Sequence, residues 1–215
     1  MFAPPPYHVD DPQHLWPLIE GIRLGSVISV DDNGTIQVSH LPILLDRTRG
    51  RLGTLIGHLD IRNPHVSALD NGTETIVSFV GPDSGVSPDW YGTAPRVPTW
   101  LYVAVEARGR PVMIRSRDGV RDIVAKSSDL ATGPHTTWRP DDVDAYIDRL
   151  LPAIVGFEIP VAHLVGQLRL GQQNSNDDRL RVMARLARGS LQQRRVARAM
   201  DGLASADHTL GLSDA

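Results

Sequence analysis

Residues 26–39 read SVISVDDNGTIQVS, and this stretch decides the class of fold that we expect. Residues 26–30 and 35–39 are rich in β-branched side chains, which favour strands. Between them, Asp32-Asn33-Gly34 is a strong turn signal, because Asn and Gly tolerate a positive φ. The stretch therefore predicts an antiparallel β-hairpin.

The rest of the chain adds further short strands with helices between them. Helices are predicted at residues 11–25, 64–69, 118–125, 140–151 and 178–202, the last broken near Gly189. Pro17 is expected to shorten or kink the first of them. Strands are predicted at residues 41–45, 53–59, 75–80, 100–107, 112–115, 154–161 and 164–170, with a loop at residues 81–99. Because regular βαβ alternation is missing, the pattern favours an antiparallel barrel with helical cover.

The length and composition are enough for one well-buried core and at most two small domains. The chain has 215 residues, of which 41% are hydrophobic, and its formal net charge is −3. At this net charge, nucleic-acid binding would need a local basic patch. Cysteine is absent, which excludes disulfides, thiolate nucleophiles, iron–sulfur clusters and cysteine-ligated zinc.

Signals for targeting and for well-known catalytic motifs are missing. The N-terminus resembles no signal peptide, and no apolar run approaches the ~20 residues that cross a bilayer, so we expect a cytoplasmic protein without membrane contact. No Walker loop, G-x-S-x-G elbow or H-E-x-x-H sequence occurs, and we predict no catalytic residue. His58 and Asp60 would share a strand face near His65, but a strand-end histidine beside a helix cap is favoured over a metal site.

One block concentrates aromatic side chains and prolines. It reads SPDWY at residues 87–91 and VPTWLY at residues 97–102, in a chain with only 5% aromatic residues. Such a block could form a rigid aromatic wall that stacks a planar ligand. From composition alone, a rigid core plug beneath a long loop is the favoured interpretation.

Together with motifs elsewhere, this block resembles the PaiB-like, FMN-binding negative transcriptional regulator family. The resemblance spans residues 1–202. It is carried, in order, by Met1-Phe2-Ala3-Pro4, Ser39-His40-Leu41-Pro42, Leu55-Ile56-Gly57-His58-Leu59 with Asn63-Pro64, Ser87-Pro88, Trp90-Tyr91, Val97-Pro98-Thr99-Trp100, Ile154-Val155-Gly156-Phe157-Glu158-Ile159, Arg169-Leu170 with Gln172, and Asp178-Arg179. Each motif alone is weak, whereas their shared order is specific.

The resemblance implies a mainly β protein with helices, of the α+β class. Its fold would be an antiparallel Greek-key split β-barrel of the FMN-binding type, with peripheral helices. We expect the barrel at residues 1–175, a helical extension packed on it at 176–203, and a flexible tail at 204–215. The family is usually homodimeric, holds FMN in a groove at the subunit interface, and is described as repressing protease and sporulation genes.

An FMN site can then be assigned by what the cofactor requires. The strand-to-helix step would bind the phosphate through free N–H groups and Arg62, an aromatic wall would hold the ring, and Gln172 would meet the ring edge. The predicted cofactor-binding residues are Ser39, His40, Gly57, His58, Arg62, Asn63, Trp90, Tyr91, Thr99, Trp100 and Gln172.

The chain departs from the family pattern at several polar positions. Ile61 stands where arginine is common, and Asp60 stands where a small residue is usual. Asp60 would repel a neighbouring phosphate. Gly85 replaces a tyrosine and Leu101 an asparagine. We therefore expect the barrel to persist, with a lowered affinity for flavin or a different planar ligand.

These observations leave three functions open. The leading one is a dimeric FMN-binding protein that acts as a transcriptional regulator or flavin-dependent sensor. The second is a flavin-dependent oxidoreductase on a small substrate, which turnover with a nicotinamide donor would distinguish. The third is a divergent split barrel that has lost FMN.

An arginine-rich segment at residues 179–198 also has two interpretations. A helix–turn–helix that binds DNA is one of them. The other is an amphipathic helical pair, whose arginines face solvent while Leu180, Met183, Leu186 and Val196 face the barrel. The second interpretation is favoured.

Overall fold

The computed structural model of the protein describes residues 1–132 and 137–209. Nine strands are present in this part of the chain: β1 (His8–Val9), β2 (Leu24–Val30), β3 (Ile36–Pro42), β4 (Leu44–Asp46), β5 (Thr54–Asp60), β6 (Thr75–Val86), β7 (Thr99–Gly109), β8 (Val112–Ile114) and β9 (Ile154–Arg169).

Six α-helices accompany the strands in the described residues: α1 (Pro12–Ile22), α2 (His65–Asp70), α3 (Arg117–Thr132), α4 (Asp144–Leu150), α5 (Asn176–Ala187) and α6 (Leu191–Thr209). Helix α1 continues through Pro17, and the predicted break near Gly189 lies between α5 and α6. In the described residues, no helix is long and apolar enough to cross a membrane. Of the predicted tail, residues 210–215 lie outside the described part.

The predicted hairpin is confirmed as strands β2 and β3. They pair antiparallel, with Val27 opposite Ser39 and Val30 opposite Ile36. In the turn, one carboxylate oxygen of Asp31 accepts the N–H groups of Asn33 and Thr35, each at 2.9 Å. Gly34 has a φ of +79°, the left-handed conformation that the Asn-Gly signal predicts.

The strands form one sheet with the order β3-β2-β6-β7-β9-β5-β4, and β1 and β8 also pair with β9. The pairs of β9 with β1, β5 and β8 are antiparallel. Strand β9 corrects the sequence analysis, which predicted two strands, because it continues through Pro160 and the following residues. The N–H of Val161 donates to the carbonyl of Gly53 at 3.0 Å, so backbone bonding resumes directly after the proline.

Strand β6 is the second correction. It runs to Val86, whereas a loop was predicted from residue 81. Ser84 and Val86 are buried within this added part, and alternate burial is what a strand at a sheet surface shows. The loop between β6 and β7 therefore begins only at Ser87.

The chain divides into two compact units. Unit 1 comprises Met1–Asp10, Val80–Ala104 and Gly166–Ala215, and unit 2 comprises Asp11–Phe79 and Val105–Val165. Unit 2 buries Leu55, Phe79 and Phe157 completely, and unit 1 does the same with Leu186 and Val196. The domain boundaries at residues 175 and 203 stay a prediction.

We predict that Gly109→Ala destabilises the fold by about 1–3 kcal/mol, the usual cost of overpacking. A Cβ at Gly109 would overlap the carbonyl oxygen of Pro160 and lie 2.7 Å from Ile159 Cγ2. Gly21→Ala is the matched control, because a Cβ on that helical residue meets no atom within 4 Å. It should stabilise the protein by roughly 0.5–1 kcal/mol. Urea denaturation measures both, and equal effects would contradict the packing at Gly109.

Candidate functional site

Within unit 2, the structure brings together Ser39, Asn63 and His65. Asn63 Nδ2 donates to Ser39 Oγ at 3.2 Å, and Ser39 Oγ lies 2.9 Å from His65 Nδ1. Burial lowers the pKa of His65, which favours the neutral imidazole. The hydroxyl of Ser39 can thus accept from Asn63 and donate to His65. His65 Nε2 is buried and has no hydrogen-bond partner among the described residues, so it is open to a water or ligand atom.

The predicted phosphate position lies beside this cluster, at residues 60–64. Arg62 Nε and Nη2 donate to the two carboxylate oxygens of Asp60 at 3.0 and 2.6 Å, and the Arg62 N–H donates to it at 2.8 Å. The side-chain bonds from Arg62, followed by its backbone bond, lower the pKa of Asp60 to about 2. The positive charge of Arg62, which was expected to meet a phosphate, is therefore already paired.

The backbone N–H groups that were expected to bind the phosphate already donate hydrogen bonds within the protein. The N–H of His65 donates to Asn63 Oδ1, and the N–H of Val66 donates to the Asn63 carbonyl, each at 3.0 Å. Helix α2 has only six residues, so its dipole is small. In this conformation the strand-to-helix step at residues 60–64 does not fit a phosphate. Phosphate binding would require Arg62 to leave Asp60.

The other predicted residues of unit 2 are placed differently. His40 lies on the opposite face of β3 from Ser39, is exposed, and has its Nδ1 3.0 Å from Ser26 Oγ. Gly57 packs against Phe157, since a Cβ there would lie 2.6 Å from the phenyl Cζ. His58 Nδ1 is buried without a partner among the described residues, and burial lowers the pKa of this histidine.

Unit 2 also has a cavity of about 290 Å³ that the sequence analysis missed. Arg115 and Arg117 lie at this cavity, and each is already paired at 2.7 Å, with Asp70 and Asp148 respectively. Because those charges are compensated, the cavity offers no free cation to an anionic cofactor. Its lining residues are Ile61, Arg115, Arg117, Val120, Leu151, Pro152, Ile154 and Val155.

Within unit 1, Tyr91 belongs to a cluster organised by a buried carboxylate. The guanidinium of Arg96 lies over the Tyr91 ring, 4.7 Å from its centroid. Arg96 donates to Asp178 at 2.6 Å and to Asn174 at 2.9 Å. Burial raises the pKa of the Tyr91 phenol, so it stays protonated near neutral pH. The cluster places a cation and a flat ring against each other.

Asp178 fixes the loop that carries this cluster. Its side chain is 1% exposed, and it accepts from the Gly92 N–H and the Thr93 hydroxyl, each at 2.6 Å. The hydrogen bond from Thr93 is the largest cause of its lowered pKa, ahead of those from Gly92 and Arg96. A buried carboxylate with this many donors stays ionised and holds the loop to the start of α5.

Thr99 and Trp100 lie in the same unit. Arg169 Nη2 donates to Thr99 Oγ1 at 3.0 Å, and its guanidinium lies 5.7 Å from the Tyr7 ring centroid. Trp100 is 53% exposed and donates through Nε1 to Asp83 at 3.1 Å. A Cβ at Gly85 would lie 3.1 Å from the Trp100 ring, so the glycine that departs from the family pattern accommodates this indole.

Trp90 and Gln172 complete the set. Trp90 is half-buried at the end of the short 3₁₀ turn Pro88–Trp90. Gln172 uses both ends of its amide on the backbone, accepting from the Leu170 N–H at 2.8 Å and donating to the Leu168 carbonyl. Gln172 thus shapes the turn after β9, and its amide is not free for a ligand in this conformation.

A planar ring with hydrogen-bond acceptors at its edge fits what unit 1 presents. Trp100 supplies an exposed indole and Arg169 supplies positive charge, whereas the charge of Arg96 is paired with Asp178. The sequence analysis did not include Tyr7 or the two arginines among the site residues. Arg96 lies inside the proline-rich loop and Arg169 inside a quoted family motif. Their places in the sequence were therefore the signal that could have identified them as site residues. In the described residues, no group of three or more His, Asp or Glu could hold a metal ion.

The chain shares its sequence pattern with a known protein family. The family described as "Putative FMN-binding domain" matches residues 1–163. The chain belongs to this family. It is also 25% identical over 192 residues to the Bacillus subtilis "Protease synthase and sporulation protein PAI 2", covering 86% of this chain and 89% of that protein. The predicted resemblance is confirmed, and FMN is the cofactor that membership implies.

Solved structures confirm the fold. The FAD and heme binding protein from Mycobacterium smegmatis matches with a TM-score of 0.58 and 16% identity, over 81% of this chain and 78% of that one. The flavocytochrome Anf3 from Azotobacter vinelandii matches with a TM-score of 0.57 and 12% identity, over 80% and 74%. The predicted antiparallel split β-barrel with peripheral helices is thus the fold of this chain.

We predict that Asp178→Asn lowers the melting temperature by roughly 5–10 °C, since it removes a buried, fully hydrogen-bonded charge. Asp177→Asn is the matched control, because Asp177 is the exposed neighbour in the same helical turn. It should leave the melting temperature nearly unchanged. Differential scanning calorimetry compares the two variants, and equal melting temperatures would contradict the anchoring role of Asp178.

Proposed function

We propose that this protein binds FMN and acts as a PaiB-like transcriptional regulator or flavin-dependent sensor. The observation that carries the proposal is in unit 1, where Thr99 holds the guanidinium of Arg169 and the neighbouring Trp100 is 53% exposed. Flavin binding needs a flat apolar bed and polar contacts at the ring edge. Membership of the FMN-binding family supports the same cofactor.

Two side chains of unit 1, Trp100 and Arg169, have specific binding roles in this proposal. Bound FMN would supply the redox chemistry, because the cofactor accepts and returns electrons. Trp100 offers its exposed indole face to a planar ring. Arg169, held by Thr99 at 3.0 Å, places a fixed positive charge that favours negative charge on a neighbouring ligand.

The regulatory part of the proposal is supported by the named relative. The B. subtilis protein is called a protease synthase and sporulation protein, and this chain matches it over most of both lengths. A flavin-dependent oxidoreductase on a small substrate is distinguished by turnover of NAD(P)H with the FMN-loaded protein. We expect no turnover above that of free FMN.

The phosphate end of the cofactor gives the sharpest test. The Asp60–Arg62 pair is solvent-accessible, with the Arg62 side chain 85% exposed, so it can open without unfolding the protein. Once free of Asp60, the guanidinium could make a bidentate contact with a phosphate. The carboxylate of Asp60 thus competes with FMN for the same cation.

We predict that Asp60→Ala tightens FMN binding about tenfold, because it frees Arg62 and removes a repulsive charge. Quenching of FMN fluorescence measures the dissociation constants. Asp32→Ala is the control for net charge, since Asp32 is an exposed carboxylate in the turn between β2 and β3, and it should leave the affinity unchanged. Equal affinities of the wild type and Asp60→Ala would place the phosphate elsewhere, and failure of every form to bind would refute the cofactor assignment.

We further propose a homodimer that forms through the outer face of the β2–β3 hairpin. Four cross-strand pairs share this face: Leu24 with Pro42, Ser26 with His40, Ile28 with Val38, and Val30 with Ile36. Ile36 is 66% exposed and Val38 is 53% exposed, whereas Ser39 points to the buried side. An edge strand that exposes apolar side chains and buries a polar one is typical of an interaction surface. A second copy of the chain supplies an identical, self-complementary face that would bury these side chains.

We predict that the double variant Ile36→Glu/Val38→Glu is monomeric. The wild type should have twice the chain mass of 23.5 kDa in light scattering coupled to gel filtration. The control is Val97→Glu/Val112→Glu, which places the same charges on residues that are 75% and 54% exposed elsewhere and should stay dimeric. A monomeric wild type, or a dimer of the first variant, would overturn this interface.

A further inference from the structure

The charge of the chain is divided unevenly along its length. Residues 179–198 contain seven arginines and no acidic residue, although the whole chain has 22 basic and 25 acidic residues. The rest of the chain is thus left with 15 basic and 25 acidic residues. A basic surface on an otherwise acidic protein attracts polyanions locally and keeps the remaining surface away from them.

The structure places most of these arginines in solvent. On α5 and its C-terminal cap, Arg181, Arg185 and Arg188 are exposed, and their spacing of four and three residues puts them on one helical face. On α6, Arg194, Arg195 and Arg198 are exposed. We call these six side chains the arginine surface.

The arginine surface differs from other arginines of the chain in its pairing. Arg47, Arg49 and Arg121 pair with Glu20, Glu158 and Asp148, respectively. In the described part of the chain, no carboxylate lies within ion-pair distance of any of the six. Within the described residues their positive charge is therefore not paired with a carboxylate, which makes it available to a partner.

The opposite side of the two helices is packed. Val182 and Leu186 of α5 and Val196, Ala197 and Met200 of α6 are all buried. Leu186 and Val196 are confirmed as inward-facing, whereas Leu180 is 57% exposed, contrary to the sequence analysis. Because both helices are fixed by their apolar sides, the arginines are presented on a rigid support.

We infer that the arginine surface binds duplex nucleic acid through its phosphate backbone. Arg181 and Arg188 are seven residues apart, about 10 Å along the helix, and this line of charge matches a regular polyanion. All six cations are arginines, whose planar fork suits phosphate oxygens. Membrane binding is disfavoured because the apolar sides of α5 and α6 are buried, although Leu180 and Leu191 are exposed.

The interaction should be independent of base sequence. The six side chains are cations whose fork suits phosphate oxygens, and phosphate contacts carry no sequence information. This inference supplies the partner for the regulatory part of the proposed function and to that extent rests on it. The surface itself needs no flavin.

The test uses the full-length protein and a fluorescently labelled DNA duplex of mixed sequence, followed by anisotropy. The wild type should lose affinity about 10²- to 10³-fold between 50 and 200 mM salt, as four to six phosphate contacts require. Arg185→Gln/Arg195→Gln should weaken binding at least about tenfold and reduce the salt slope by about two. Arg51→Gln/Arg149→Gln, which removes the same charge from exposed positions elsewhere, should bind like the wild type.

Several results would overturn the inference. They are absence of duplex binding at 50 mM salt, equal binding by wild type and Arg185→Gln/Arg195→Gln, or binding to anionic phosphatidylserine vesicles without binding to the duplex. FMN titration of the same preparations distinguishes the two proposals. A protein that binds FMN but no duplex refutes this inference alone, and one that binds the duplex but no FMN refutes only the cofactor assignment.

Discussion

The register of strand β9 is the constraint on which the rest of the structure depends. Its first half pairs with β5 and β8, and its second half pairs with β1. Gly57 and Gly109 lie where a side chain would collide with Phe157 and with the backbone of Pro160, respectively. A shift of one residue would turn every buried side chain of β9 to the other face. The position of Arg169 at the end of β9 follows from this register.

The ion pairs of Arg62 in unit 2 and of Arg96 in unit 1 have different roles, and this difference bears on cofactor binding. In unit 2, Arg62 is held by its neighbour Asp60, so the cation expected at a phosphate is paired when no ligand is present. In unit 1, Asp178 holds Arg96 and the loop around it, and the tyrosine under Arg96 is positioned at the same time. The ion pair of unit 1 fixes an aromatic loop, whereas the ion pair of unit 2 must open before Arg62 can meet a phosphate.

Local sequence signals predicted the parts of the structure that depend on local physics. The Asn33-Gly34 turn was found because its positive φ is encoded in the residue types, and the break lies at Gly189, where a Cβ would collide with the Gln193 side chain. The continuity of β9 through Pro160 was missed, since it depends on pairing with residues about a hundred positions away. Arg96 and Arg169 were also missed, because their places in the loop and in the motif do not reveal which side chains they contact. Ser39 and His40 were predicted together, although adjacent strand residues point to opposite faces.

The family assignment rests on shared sequence, and the flavin itself can be observed directly. The decisive measurement is the visible absorption spectrum of the purified protein after incubation with FMN and gel filtration, with the released cofactor identified by mass spectrometry. The account predicts the bands of an oxidised flavin and FMN in a ratio approaching one per chain. A colourless protein that releases no flavin would contradict it, and would mean that the split barrel has kept its framework without its cofactor.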